Sequence, residues 1–161
     1  MREPFSPSSA PYLPEANASG IENKAAVACC ALAIASLVPV ALTQLGVIQE
    51  LPDPPGSLFD SKQIVQSKGA YPLGIPDGVL GIASYAATLA LLLTANPDRP
   101  VLQRMLRAKL AVDAGMAAKN VRKQVTSMGK ICTWCMGTAA ATAGVVYFAR
   151  KARPAVRPKA A

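Results

Sequence analysis

Three blocks of this 161-residue chain carry no charged side chain: Ala25 to Ile48, Gly78 to Ala95 and Ile131 to Ala149. A helix of about 20 apolar residues crosses the ~30 Å hydrocarbon layer of a bilayer. Within that layer backbone polar groups must bond inside their own segment, which leaves the helix as the structure for an isolated span. The blocks therefore predict an all-α integral membrane bundle. Composition agrees: 52% of residues are hydrophobic and 16% are charged, against about a quarter charged in an ordinary soluble domain.

The segments between the blocks divide the chain. Residues 1–22 carry Pro4, Pro7, Pro11 and Pro14 without hydrophobic period, and read as a disordered tail. Residues 23–150 form the bundle and 151–161 a basic tail. Pro39 is expected to kink the first block, and Thr43 and Gln44 near its end are expected to face other helices. In the loop from Gln49 to Pro76, Leu51 to Gly56 reads as a Pro-rich turn. Ser57 to Ser67 reads as a short amphipathic helix with Leu58, Phe59, Ile64 and Val65 on its apolar side. Val101 to Lys130 reads as helix but is unusually charged. There Lys109 and Asp113 stand at i and i+4, where each can neutralise the other.

Charge sets the topology. Residues 1–97 hold four basic and seven acidic side chains, and residues 98–161 hold thirteen and two. Because the basic residues flank apolar blocks, they read as orientation signals rather than as a nucleic-acid surface. The acidic 49–76 loop belongs outside; the segment after the second block and the C-terminal tail belong inside. Both can be inside only if residues 103–128 also cross, giving four spans with an unusually charged third helix. The alternative is three spans and a surface helix, which puts the basic tail outside against the charge rule.

The chain has no histidine and four cysteines, so the commonest general base and the usual zinc ligand are missing, and no metal site is expected. Cys132-Thr133-Trp134-Cys135 is the reactive signature. Two intervening residues on a helix put both sulfurs on one face, and free amides at a helix start favour the first thiolate. Thiolate is the attacking species in disulfide exchange, so Cys132 reads as nucleophile and Cys135 as its partner. The blander reading is that both are small buried residues of an apolar helix. Cys29 and Cys30 read as structural. On this topology they lie at the opposite end of the bundle, on the order of 25 Å from Cys132.

The segments Ser67, Tyr71-Pro72-Leu73-Gly74-Ile75-Pro76, Val79-Leu80-Gly81-Ile82-Ala83-Ser84-Tyr85 and Cys132-Thr133-Trp134-Cys135 together resemble the vitamin K epoxide reductase family, over about residues 25–150. The resemblance implies a four-helix membrane protein that passes electrons between thiols and a quinone of ubiquinone, menaquinone or phylloquinone type. It implies that Cys135 faces the quinone and that Cys132 exchanges with other thiols. Asp77 falls near a polar quinone-contacting position, and Trp134, Leu80 and Tyr85 are further candidate contacts. Implied partners are membrane lipid and a thioredoxin-like thiol protein; the implied location is a bacterial inner membrane, with Cys132 toward the outer face. The chain departs from the pattern in the loop. Asp53 and Ser61 stand about where relatives carry a relay pair of cysteines, and Ala139 stands where some relatives have a tyrosine.

Three functions follow. The first is a quinone-linked thiol–disulfide oxidoreductase. The second is a redox-inactive relative with a structural or assembly role, which the missing loop pair favours. The third is a small transporter or lipid-surface protein with inert thiols.

Overall fold

The computed structural model describes residues 15–95 and 99–152. Its regular elements are helices: α1 (Glu15–Gln44), α2 (Ser61–Val65), α3 (Asp77–Thr94), α4 (Pro100–Lys123) and α5 (Thr133–Lys151). Among the described residues there is no β-sheet, only an isolated parallel bridge between Phe59 and Ile131. Helix α1 packs on α3 and α5, and α4 packs on both of those in turn. The four long helices thus close into a bundle, and α2 lies under the loop at one end.

The core follows helical spacing. On α1 it is Ala26, Cys30, Ala33 and Leu37, at intervals of four, three and four residues along one face. Tyr85 and Leu92 of α3, Leu106 and Leu110 of α4, and Val145 and Ala149 of α5 meet that stripe. Small residues let the axes approach. A Cβ on Gly78 would stand 2.9 Å from the Ala41 amide nitrogen, and one on Gly144 would stand 2.7 Å from Cys29 Sγ. Apolar side chains such as Leu32, Leu93 and Val112 are exposed on the outward faces, and α4 also exposes Arg104, Arg107 and Lys119. Among the described residues, two helices are long and apolar enough to cross a membrane, α1 over Gly20–Gln44 and α3 over Asp77–Thr94.

The element boundaries differ from expectation in three places. First, α1 begins at Glu15, so residues 15–22 of the expected tail are helical; residues 1–14 lie outside the described residues. Second, α1 ends at Gln44 rather than Ile48. Gly46 takes φ +76°, its amide donates to Thr43 C=O (3.1 Å), and the Val47 amide donates to Leu42 C=O (2.9 Å). This paired closure satisfies the last carbonyls and suits glycine, which has no Cβ to clash. The helix runs unbroken through Pro39, and Thr43 Oγ1 donates back to the Pro39 carbonyl at 2.9 Å. Third, the helix expected over 57–67 shrinks to Ser61–Val65. The Asp60 carboxylate caps it by accepting from the Gln63 amide (2.9 Å). Residues before the cap pair with Ile131 instead: Ile131 N–H donates to Leu58 C=O (2.8 Å), and Asp60 N–H to Ile131 C=O (3.1 Å). Ile64 and Val65 turn inward as expected, whereas Leu58 is exposed.

The charged segment is helical from Pro100 to Lys123 and then relaxes into a π-helical turn, Gln124–Met128, closed by Gly129 at φ +61°. Midway along α4, Lys109 and Asp113 form the expected ion pair. Asp113 is only 4% exposed. Its carboxylate also accepts from Ser84 Oγ (3.0 Å) and Thr88 Oγ1 (2.6 Å) of α3, and Lys109 donates to Ser84 Oγ (2.8 Å). The pair is held against α3 rather than presented outward, with its hydrogen-bonding capacity largely used.

Candidate functional site

The two cysteines of the Cys-x-x-Cys motif sit where helix α5 starts. Cys132 is its N-cap, in extended conformation, and its Sγ accepts from the Cys135 amide at 3.1 Å. Partial positive charge at a helix N-terminus favours negative charge on that sulfur. The π-helical turn completes the cradle: Gln124, itself buried, accepts the Cys132 amide through Oε1 at 2.9 Å. Both thiols are free. They differ in access, since Cys132 is 0% exposed and Cys135 is partly open.

A carboxylate network seals Cys132. Asp53 Oδ1 accepts from Ser61 Oγ (2.6 Å) and Thr133 Oγ1 (2.8 Å), and Asp53 Oδ2 accepts the Ser61 amide (2.7 Å). Ser61 Oγ in turn accepts the Thr133 amide (3.1 Å). Burial pushes the Asp53 carboxyl up, but the hydrogen bonds from Ser61 and Thr133 outweigh it and hold the group below the ordinary aspartate value. Two more ties fasten the loop: Trp134 Nε1 donates to the Pro52 carbonyl (3.2 Å), and Lys130 Nζ donates to the Ser57 carbonyl. Beneath them Val40, Leu51, Ile64 and Val65 pack around Cys132 as a small second core. An external thiol therefore reaches Cys132 only when the loop lifts.

Cys135, whose thiol is within hydrogen-bonding reach of the Cys132 sulfur, also lines a cleft that it shares with Asp77, Asn120, Lys123, Gln124 and Met128. Gln44 fixes the far wall. Its Nε2 faces Asp77 Oδ1 (2.6 Å) and the Val65 and Ala70 carbonyls (3.1 and 3.2 Å), and its Oε1 accepts the Gly78 amide (2.9 Å). One side chain thus joins the end of α1, the loop and the start of α3. The cleft holds about 40 Å³. That is room for water, well short of the ~300 Å³ at the low end for a small-molecule pocket. In this conformation the cleft does not fit a quinone ring.

Of the residues singled out in the sequence, Cys132, Cys135 and Asp77 come together at this end of the bundle. Trp134 is beside them but bonded to the loop, and it does not line the cleft. Leu80 faces outward, 41% exposed. Tyr85 lies eight residues beyond Asp77, ~12 Å along α3, with its hydroxyl on Thr142 Oγ1. Cys30 donates to the Tyr85 carbonyl (3.3 Å), and Cys29 lies near Gly144, nine residues past Cys135. The two cysteine pairs therefore occupy different depths. Among the described residues no group of three His, Cys, Asp or Glu side chains could hold a metal ion.

The sequence marked Gln44 only as facing inward and gave no signal for Gln124 or Lys123. Asp53 and Ser61 were visible as the residues in place of the loop cysteines, but their bonds to α5 were not. No curated protein matches the chain. The model of the vitamin K epoxide reductase family matches residues 24–149, which is most of the chain. The cysteine pair at the head of α5 thus stands in a bundle whose sequence as a whole carries the family pattern, and the chain belongs to the vitamin K epoxide reductase family.

Proposed function

We propose that this protein is a multi-pass membrane thiol–disulfide oxidoreductase whose Cys132–Cys135 pair exchanges electrons with a quinone. The observation that carries the reading is the division of labour at the head of α5. Cys132 Sγ accepts the Cys135 amide beneath the docked loop, and Cys135 lines a cleft with Asp77. Once the pair is oxidised, a partner dithiol, of the kind a thioredoxin-like protein presents, would attack the Cys132–Cys135 disulfide at Cys132 and release Cys135 as thiolate; its second thiol would then displace Cys132 and leave the partner as the disulfide. Quinone is a substrate here and enters only after the cleft widens between the end of α4 and the loop. Overall, the two thiols lose two electrons and two protons and become a disulfide, and one quinone becomes quinol. Asp77, positioned by Gln44, is the cleft group suited to hold a proton.

This reading keeps four spans. α1 and α3 have the length and hydropathy. Charge deep in a bilayer costs roughly 2.5–3.5 kcal/mol per group on insertion scales. Pairing Lys109 with Asp113 against Ser84 and Thr88 reduces that cost where α4 would otherwise fail to cross. The basic flanks then orient Cys132 outward, as in a bacterial inner membrane.

The seal over Cys132 supports a second reading, a redox-inactive relative with a structural role. Differential alkylation of native membranes, with peptide mapping of Cys132 and Cys135, separates the two. The enzyme reading expects a pair that is reduced by dithiol and reoxidised only when quinone is supplied. Thiols that stay free whatever quinone is added would remove it, and normal cellular function after Cys132→Ser would favour the structural role.

A further inference from the structure

At the end of the bundle opposite the cysteine motif, helices α4 and α5 part along a groove of about 580 Å³ lined by Ala114, Ala143, Val146, Tyr147, Arg150 and Lys151. The floor and walls are apolar, and the small side chains of Ala114 and Ala143 leave the seam open. The basic groups gather at one end. Lys151 Nζ stands 5.0 Å from the Tyr147 ring centroid, a cation–π distance that holds the ammonium at the groove mouth. Tyr147 is braced edge-on by Phe148, with ring centroids 5.1 Å apart. Arg107 of α4 is exposed and lies seven residues before Ala114, on the same helix face and toward the same end.

We propose that this groove binds an anionic phospholipid, with an acyl chain along the Ala114–Ala143–Val146 seam and the phosphate between Arg150 and Lys151. The inference rests on the membrane reading above but not on the redox one. Charge complementarity selects the occupant: two exposed cations at the mouth of an apolar channel suit a ligand that is anionic at one end and hydrocarbon along its length. A quinone is neutral. One lying here would also be remote from the thiols, because Ala143 is eight residues past Cys135 and Arg150 fifteen, ~12 and ~22 Å along α5. Cations in the last turn also complement the helix carbonyls. That accounts for their charge but not for the open apolar channel leading to them. On the charge-derived topology this end faces the inner leaflet, where anionic lipids attract basic flanks.

The test uses the full chain, purified in detergent and exposed to lipids with identical acyl chains. Native mass spectrometry should find phosphatidylglycerol retained about tenfold over phosphatidylcholine, since two basic groups each contribute to the preference. Arg150→Gln with Lys151→Gln should erase the preference. Ala143→Phe, which fills the groove and leaves both charges, should reduce retention on its own, so the proposal stays testable if the double variant does not fold. Equal retention of the two lipids would overturn the site, and so would unchanged phosphatidylglycerol binding in Ala143→Phe. Full competition by inorganic phosphate would reduce it to a bare anion contact. Flotation with phosphatidylcholine vesicles separates the failures. A chain that floats without headgroup preference loses only this site; one that does not float loses the membrane reading as well.

Discussion

The two polar regions of this bundle are built in opposite ways. At the motif end, Gln44, Asp53 and Gln124 spend many of their bonds on backbone: the Val65 and Ala70 carbonyls and the amides of Ser61, Gly78 and Cys132. In mid-bundle, Ser84, Thr88, Lys109 and Asp113 bond mainly side chain to side chain, within α4 and between α3 and α4. The difference follows from backbone regularity. An irregular loop exposes amides and carbonyls that need partners, whereas two packed helices leave only their side-chain charges to satisfy. The loop network can open toward water and re-form, because water supplies substitute bonds. The mid-bundle network has no such substitute and is committed to one arrangement.

The largest expected effect lies in mid-bundle. Asp113→Ala leaves Lys109 without its partner, and breaking a buried pair from one side costs about 3–5 kcal/mol. Thermal unfolding in detergent should register the loss. Replacing both, Lys109→Met with Asp113→Leu, should recover most of it. A double variant as unstable as Asp113→Ala would mean that the pair organises α3 against α4 beyond cancelling its own charges.

A smaller effect is expected at the loop. Asp53→Ala removes three hydrogen bonds that hold Ser61 and Thr133 over Cys132. Cys132 should then alkylate about tenfold faster, which corresponds to losing roughly 1.4 kcal/mol of closure. Global stability should change little, because the main core lies elsewhere. An unchanged alkylation rate would show that the apolar contacts of Leu51, Ile64 and Val65 close the loop unaided.

The same contrast explains what the sequence disclosed. The uncharged blocks announced helices because a run without charge needs no tertiary context to be read. Lys109 and Asp113 were legible as a pair because i,i+4 spacing is local, but their partners Ser84 and Thr88 depend on the register of α3 against α4. The motif around Tyr85 points to a quinone contact. Eight residues of helical rise carry it instead to Thr142, away from the cleft. The loop was the least legible part. The Asp60 cap and the Ile131 bridge decide where α2 begins, and Ile131 stands 72 residues from Phe59 and 71 from Asp60, a separation that no local pattern connects. Gln44 and Gln124 gain their roles from the same long-range closure.

The smallest effect is one of pH. Hydrogen bonds hold the Asp53 carboxyl below its ordinary value of 3.8. A group depressed in the folded state contributes stability that is fully present above its unfolded pKa and is lost as pH falls through the folded one. The loop should therefore stay docked from neutral pH down to the ordinary aspartate range and loosen only below it. Trp134, the single tryptophan of the chain, reports this directly, since its indole nitrogen donates to the loop carbonyl of Pro52. Its emission should hold steady to about pH 4 and shift to the red in stronger acid. Asp60 and the Glu50–Lys62 pair lie on the same loop, so Asp53→Asn is the deciding comparison. In that variant the emission should already be shifted at neutral pH and show a smaller acid step. An acid step of undiminished size would remove Asp53 as the origin of the loop's pH response, and the seal over Cys132 would then rest on Ser61 and Thr133 without the charge of Asp53.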